Sequence, residues 1–130
     1  MSKTTEYSVT GEKTRREVLG DDHVNRANEN TTEFNSRFQN LITDAAWGGV
    51  WSDPTLTKRE RSMITIALLA ALGHDNELAM HVRATKNTGA SEDDVREALM
   101  HVAIYAGVPA ANHAIKIAES VYSEIQEPGK

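Results

Sequence analysis

The feature that most constrains the fold is an apolar run at residues 63–72, in which Thr65 is the only polar side chain. A helix that is apolar almost all round has no face suited to water, so we expect it to be buried in a domain or in a subunit interface. Thr57 and Glu60 stand before the run with the spacing of a capping box, and Gly73 follows it as a helix stop. These residues predict one helix from about 57 to 72.

The other apolar residues recur at intervals of three and four, which is typical of amphipathic helices. No segment alternates convincingly with a period of two. We therefore predict an all-α protein of about six helices, in a single domain over residues 1–130 with a loose segment at 1–9. Residues 47–54 contain two tryptophans, two glycines and a proline, and this composition predicts a structured turn.

Composition excludes several classes of function. The 14 basic and 19 acidic residues give a net charge of −5, which argues against a general affinity for nucleic acid. Cysteine is absent, so disulfides, thiolate metal sites and thiol catalysis are excluded. The N-terminus lacks the apolar core of a signal peptide, and no apolar run reaches about 18 residues. We therefore expect a cytoplasmic protein with no membrane partner.

Ionisable residues follow directly on the apolar run. Glu77 and His81 are four apart on a predicted helix, and are therefore neighbours on one face. A carboxylate beside an imidazole orients it and raises its pKa, which suits a general acid or base. An ordinary surface pair has the same spacing and is more common. His74 precedes His81 by seven residues, roughly 10 Å along a helix, so we predict no shared metal ion.

Further candidates surround these residues. Arg59 and Arg61 open the apolar helix and present guanidinium groups that suit a carboxylate ligand, although such groups are more often solvated. Trp51 is close to Arg59 in sequence and could form an apolar wall. His101 and Tyr105 are four apart; Tyr105 could donate a hydrogen bond to a substrate oxygen or be an ordinary core aromatic.

Several groups of residues together resemble a known family. They are Trp51, Leu56, Arg59, Arg61 and Ser62; residues 66–73; Glu77, Leu78 and His81; Asn87 and Gly89; and residues 101–111. With this pattern, residues 38–122 resemble the carboxymuconolactone decarboxylase family, within the alkylhydroperoxidase D-like superfamily. The resemblance implies an all-α fold of antiparallel helices, assembled into trimers or hexamers with active sites near the subunit interfaces. The surplus of apolar helical surface independently predicts a homo-oligomer.

The resemblance also implies an activity, the conversion of 4-carboxymuconolactone, a small lactone carboxylate, to 3-oxoadipate enol-lactone without a cofactor. In the peroxidases of this superfamily, the start of the same helix has a pattern that resembles C-x-x-C-x-x-x-H. When their histidine is aligned with His81, the cysteine positions fall on His74 and Glu77. Peroxide reduction through a disulfide is therefore excluded here.

Within this family hypothesis, His81 transfers the proton, Glu77 orients or tunes it, and His74 lies near the oxyanion or a carboxylate. The substrate would be bound by Arg59 or Arg61, with Trp51, Tyr105 and His101 lining the pocket. Two alternatives stay open. One is a related enzyme acting on another lactone or small carboxylic acid, and the other is a non-catalytic oligomeric binding protein.

Overall fold

The computed structural model describes residues 6–126, and all regular structure within that range is helical. The prediction of an all-α fold is confirmed, with seven α-helices and one π-helix over this range instead of about six helices. The elements are α1 (Glu6–Leu19), α2 (Asp21–Glu29), α3 (Glu33–Ile42), the π-helix (Thr43–Trp51), α4 (Lys58–Leu72), α5 (Asp75–Thr88), α6 (Glu92–Tyr105) and α7 (Val108–Gln126).

The helices fall into two compact units, Met1–Lys58 and Arg59–Lys130. The assignment of all 130 residues to one domain stays a prediction. Of the expected loose segment at 1–9, residues 1–5 lie outside the described range. Residues 6–9 form the beginning of α1, and the loose segment at 1–9 stays a prediction. None of the described helices is long and apolar enough to cross a membrane.

In the first unit, α1 and the π-helix approach each other at backbone distance. Gly11 of α1 is buried, and a Cβ atom there would overlap the carbonyl oxygen of Thr43 and lie 3.0 Å from the backbone nitrogen of Gly48. Two polar contacts flank this approach. Thr14 and Ser52 share a hydrogen bond of 2.7 Å between their hydroxyls, and the Ser8 hydroxyl donates to Asp44 at 2.6 Å.

The turn predicted at residues 47–54 is wrong over its first five residues, because the π-helix continues from α3 to Trp51. Trp47 and Trp51 are both buried and their ring centroids are 5.2 Å apart. The backbone of this segment also approaches Gly11 of α1, where a Cβ atom would overlap the Thr43 carbonyl oxygen. The two tryptophans therefore serve helix packing, a tertiary requirement that local turn preferences do not contain.

The second unit is built around an apolar core from α4, α5, α6 and α7. Leu78, Leu99 and Val121 are almost completely buried, and small residues such as Ala114 and Ala118 let the helices approach closely. Helix termini follow the sequence signals. Gly73 and Gly89 have φ of 77° and 88°, in the left-handed region where glycine carries no Cβ penalty. The capping box of Ser91 and Asp94 forms, with both hydrogen bonds at 3.0 Å.

The apolar run predicts a helix that is buried all round, in a domain or in a subunit interface. Within this chain, helix α4 is buried along one side only. Its buried residues are Ser62, Ile66 and Ala70, which are four apart and form one stripe. The side chains of Ile64, Leu68 and Leu72 form another stripe with the same spacing and are 50% to 68% exposed. The physical reason is geometric, since the helices of one small chain cover only one side of α4. The expectation of a subunit interface stays a prediction.

Candidate active site

A helix termination motif places His74 at the start of α5. The backbone N–H of Gly73 donates to the Ala70 carbonyl at 3.3 Å, and the N–H of His74 donates to the Leu69 carbonyl at 3.0 Å. This is the bonding of a Schellman motif, which requires the left-handed glycine at its centre. His74 is then the N-cap of α5 and its side chain is exposed.

His81 faces the interior of the second unit. It lies on α5 between the buried residues Leu78 and Val82, and only 7% of its surface is exposed. Its Nδ1 atom is buried and makes no hydrogen bond within residues 6–126. A histidine in this setting contrasts with the surface pair that the spacing alone also allowed. The spacing of residues in the sequence did not determine that His81 is buried, and the structure does.

Glu77 occupies a different environment from His81. It belongs to the first turn of α5 and is exposed. Within the described residues, the Glu77 carboxylate forms no ion pair or hydrogen bond, including with His81. The orienting role of Glu77 therefore stays a prediction based on sequence spacing.

Arg59 is held by a carboxylate of its own unit. Its Nε and Nη2 atoms donate to the two carboxylate oxygens of Asp94 at 2.7 and 2.6 Å, a bidentate ion pair. Arg59 holds the pKa of Asp94 well below its usual range, with help from the Ser91 backbone N–H, and the same pair raises the pKa of Arg59. This pair joins the first turn of α4 to the capping box of α6. A substrate carboxylate at Arg59 would have to compete with Asp94.

His101 and Tyr105 come together as their spacing predicts. Their rings are nearly parallel, with centroids 6.1 Å apart, at the C-terminal part of α6. Both side chains are exposed, and Tyr105 is 84% exposed. Tyr105 is therefore not a core aromatic of this chain. Its hydroxyl and its ring are both accessible at the C-terminal end of α6.

The two remaining candidates have different surroundings. Arg61 is half-buried in the first turn of α4, closer to the core than Arg59. Trp51 belongs to the first unit, where it is buried against Trp47 at the end of the π-helix. The second unit thus contains seven of the eight candidates, and among them the rings of His101 and Tyr105 are in contact.

Sequence reasoning missed several polar groups in the second unit. The Ser62 hydroxyl is buried and has no hydrogen-bond partner within the described residues, and the Tyr122 hydroxyl is also buried. Burial, followed by the nearby charge of Glu92, raises the pKa of Tyr122. On the surface, Asp75 and His113 form a 2.8 Å contact between Oδ2 and Nε2. Tyr122 stands in an apolar helical stripe, so no local pattern distinguishes it from a core residue.

Metal ligands do not cluster in the described part of the chain. No group of three or more histidine, aspartate or glutamate side chains there has the arrangement of a metal site. The two histidines of α5 illustrate the reason, since His74 is exposed at the N-cap and His81 is buried two turns later. The second unit therefore supplies the buried imidazole of His81, and the guanidinium groups of Arg59 and Arg61 at the start of helix α4.

Comparison with known proteins gives this arrangement a context. The chain is 49% identical over 115 residues to the 4-carboxymuconolactone decarboxylase of Acinetobacter baylyi, covering 88% of this chain and 86% of that protein. It is 36% identical over 120 residues to a nitrosuccinic acid decarboxylase of Metarhizium robertsii, covering 92% and 84%. Residues 36–120 match the carboxymuconolactone decarboxylase family over most of the chain. This chain therefore belongs to the carboxymuconolactone decarboxylase family.

Proposed function

We propose that this protein decarboxylates 4-carboxymuconolactone to 3-oxoadipate enol-lactone, a step of protocatechuate breakdown. The observation that carries the proposal is the 49% identity to the Acinetobacter enzyme over 88% of the chain. The retained imidazole of His81 in the apolar second unit supports it, because the reaction needs a proton donor. The protein is thus proposed to be a carboxy-lyase that binds a small lactone carboxylate.

The substrate contains its own electron sink, so we propose that no cofactor takes part. The departing carboxylate is attached to a carbon next to a C=C bond that is conjugated with the lactone carbonyl. When CO2 leaves, the electron pair of the broken C–C bond moves through the alkene to the carbonyl oxygen and forms a dienolate. A proton then returns to the carbon next to the carbonyl. The protein must hold the second carboxylate, stabilise the oxyanion and deliver that proton.

The proton transfer is assigned to His81. Its burial removes water from the reacting end of the substrate and lets a single imidazole control protonation. Glu77 keeps its proposed tuning role through its position one turn earlier on α5. His74, at the N-cap of α5, is placed where the helix N-terminus favours negative charge, which supports its assignment to the oxyanion or a carboxylate.

Carboxylate binding is assigned to Arg59 or Arg61, which both lie in the first turn of α4. Arg59 already makes a bidentate pair with Asp94, and a ligand would have to displace that carboxylate. Arg61 lies in the same first turn of α4 and is half-buried, an environment in which a charge-assisted hydrogen bond is stronger than in water. Trp51, Tyr105 and His101 keep their proposed role as pocket walls.

The test is CO2 release from freshly generated 4-carboxymuconolactone by the purified protein, with and without a chelator. We expect rapid release that the chelator does not change. His81→Ala should lower turnover about 10²- to 10⁴-fold, the usual range for a general acid or base. The control is His113→Asn, an exposed histidine paired with Asp75 on the surface, which should leave turnover near wild type. Wild-type turnover in a folded His81→Ala protein would contradict the assignment.

A second candidate substrate follows from the Metarhizium relative, whose name gives nitrosuccinic acid as its substrate. In that compound the nitro group is attached to the carbon that carries the departing carboxylate. The nitro group can therefore accept the electron pair when CO2 leaves. At 36% identity the same scaffold could serve either compound. Parallel assays of CO2 release from both compounds decide between them, and the ratio of their kcat/KM values names the substrate.

We further propose a cytoplasmic homo-oligomer, a trimer or hexamer, in which each chain forms one domain. The support is the exposed apolar stripe of Ile64, Leu68 and Leu72 on α4, together with Ile104 on α6, which is 77% exposed. Exposed apolar stripes such as the one on α4 mark contact sites between proteins. Light scattering at micromolar concentration should give a mass of three or six chains, and a monomer would contradict the proposal.

A further inference from the structure

Tyr122 points its hydroxyl into the second unit. Its side chain is half-buried on α7, whereas the hydroxyl oxygen itself is buried. A tyrosine near a surface normally keeps its hydroxyl in water, and burying a hydroxyl costs free energy unless it is hydrogen-bonded. No step of the proposed reaction uses this group. Its inward orientation therefore requires hydrogen-bond partners inside the unit.

Thr85 of α5 is the first of these partners. Burial and the charge of Glu92 raise the pKa of Tyr122, and hydrogen bonding with the Thr85 side chain opposes this rise. The Thr85 hydroxyl donates its own proton to the Val82 carbonyl oxygen at 2.6 Å. Toward Tyr122 the Thr85 oxygen can then only accept. The Tyr122 O–H therefore donates to Thr85, and the lone pairs of the Tyr122 oxygen face another donor.

Two contacts show that α5 and α7 run in the same direction. Asp75 contacts His113 at 2.8 Å near the beginnings of the two helices, and Arg83 contacts Glu124 at 3.2 Å farther along both. Long helical side chains lean toward the N-terminus of their own helix. The hydroxyl of Tyr122 is therefore displaced toward the beginning of α7, which is also the direction of the beginning of α5.

His81 lies in that direction from Thr85. The two residues are four apart on α5, and their side chains are both buried, with 7% and 6% exposed. Residues with this spacing are neighbours on one helix face, with Cβ atoms about 5–6 Å apart. The lean of Tyr122 thus takes its hydroxyl from Thr85 toward the imidazole of His81.

Proton transfer by His81 creates a need for such a neighbour. The imidazole must be protonated before it can give a proton to the dienolate, and an apolar surrounding disfavours the charged form. Glu77, one turn earlier on α5, is exposed to water, where its charge is screened. A hydrogen-bond acceptor inside the unit stabilises the imidazolium without adding a second buried charge.

We propose that Tyr122 is a positioning residue for His81, whose hydroxyl oxygen accepts a hydrogen bond from the protonated imidazole. The bonds then form a chain in which each group donates to the next, from His81 through Tyr122 and Thr85 to the Val82 carbonyl. Such chains strengthen their members, and catalytic hydrogen bonds that are long in a ligand-free protein shorten in the complex. His81 gives its proton to the dienolate carbon, whereas Tyr122 keeps its own. This role rests on the proposed assignment of proton transfer to His81.

The charges of the second unit must stay constant in a test of this role. Helices α4 to α7 carry several charged side chains in the part of the unit that contains Tyr122 and His81: Arg59, Arg61, Glu77, Arg83, Glu92, Asp94 and Glu124. Tyr122→Phe removes one neutral hydroxyl and alters none of these charges. A change in the titration of His81 in this variant therefore reports the loss of a hydrogen bond.

The test is an NMR titration of the full chain labelled with ¹³C-histidine, in which the Cε1–H signal of His81 is identified by its loss in His81→Ala. In Tyr122→Phe we expect the midpoint of His81 to fall by about one pH unit, because a hydrogen bond to the charged form is lost. The high-pH limb of kcat for CO2 release should move to lower pH by the same amount, with little change in KM. Thr85→Val should give a smaller shift in the same direction. The matched control is Thr88→Val, another buried threonine of α5, which should leave the midpoint unchanged.

The proposal is overturned if the His81 midpoint is unchanged or higher in folded Tyr122→Phe, or if Thr88→Val lowers it as much. If Tyr122→Phe does not fold, Thr85→Val decides the question, and an unchanged midpoint in that variant overturns the proposal. The titration needs no substrate. A lowered midpoint in Tyr122→Phe, together with no CO2 release by wild type from either candidate compound, would reject the proposed function and support the contact of Tyr122 with His81.

Discussion

The two units of this protein are stabilised in different ways. The second unit has a cluster of buried apolar side chains on α4 to α7, whose contribution depends mainly on the area they remove from water. The first unit buries fewer aliphatic side chains. It relies on Trp47 and Trp51, on a backbone contact at Gly11, and on the buried polar residues Thr14 and Arg15. Apolar burial tolerates small rearrangements, whereas backbone contacts and buried polar groups require a particular geometry.

The largest expected effect tests the apolar core of the second unit. Leu99 is 1% exposed at the centre of the cluster, so Leu99→Ala should lower the free energy of unfolding by about 3 kcal/mol through lost burial and the cavity left behind. Urea unfolding measures this change. The matched control is Leu41→Ala, an exposed leucine of α3, which should cost much less. Equal losses in the two variants would show that burial in the cluster does not dominate.

A smaller but still large effect should come from the backbone contact in the first unit. In Gly11→Ala, the new methyl group would overlap the Thr43 carbonyl oxygen, and a backbone atom cannot move aside as a side chain can. We expect a loss of about 2 kcal/mol, despite the better helix propensity of alanine. Gly49→Ala is the control, because its added Cβ would lie 3.6 Å from the Asp44 carbonyl oxygen, an ordinary contact. If Gly11→Ala were more stable than wild type, the backbone contact at Gly11 would not be a source of stability in the first unit.

The smallest effect concerns the ion pair of Arg59 and Asp94 and depends on pH. Because the folded-state pKa of Asp94 is depressed, its contribution is complete above the usual carboxyl pKa, about 3.9, and is lost as the pH falls toward the lower folded-state value. Asp94→Asn should therefore be less stable than wild type at pH 7. Thermal unfolding from pH 7 to pH 2 should show this difference shrinking below pH 4. A difference that grows on acidification would have the wrong sign for this ion pair.

The comparison also explains which site features could be predicted from sequence. The burial of His81 agrees with the apolar residues that surround it at helical spacing, and the stacking of His101 on Tyr105 follows from their separation of four. The partner of Arg59 was not predicted, because Asp94 is 35 residues away and already had a local role in a capping box. The burial of Arg15 was also missed, since an arginine in a polar helix has the pattern of a solvated charge.

The sequence by itself determined the helical class, the family, and the ends of the helices in the second unit. The helical class and these helix ends depend on local periodicity, on Gly73 and Gly89 in the left-handed region, and on the capping box at Ser91. Only the tertiary structure decided that α3 continues into a π-helix, that one face of α4 stays uncovered, and that Arg15 is buried. Each of these outcomes depends on contacts between segments far apart in sequence, and the energies of such contacts leave no periodic pattern along the chain.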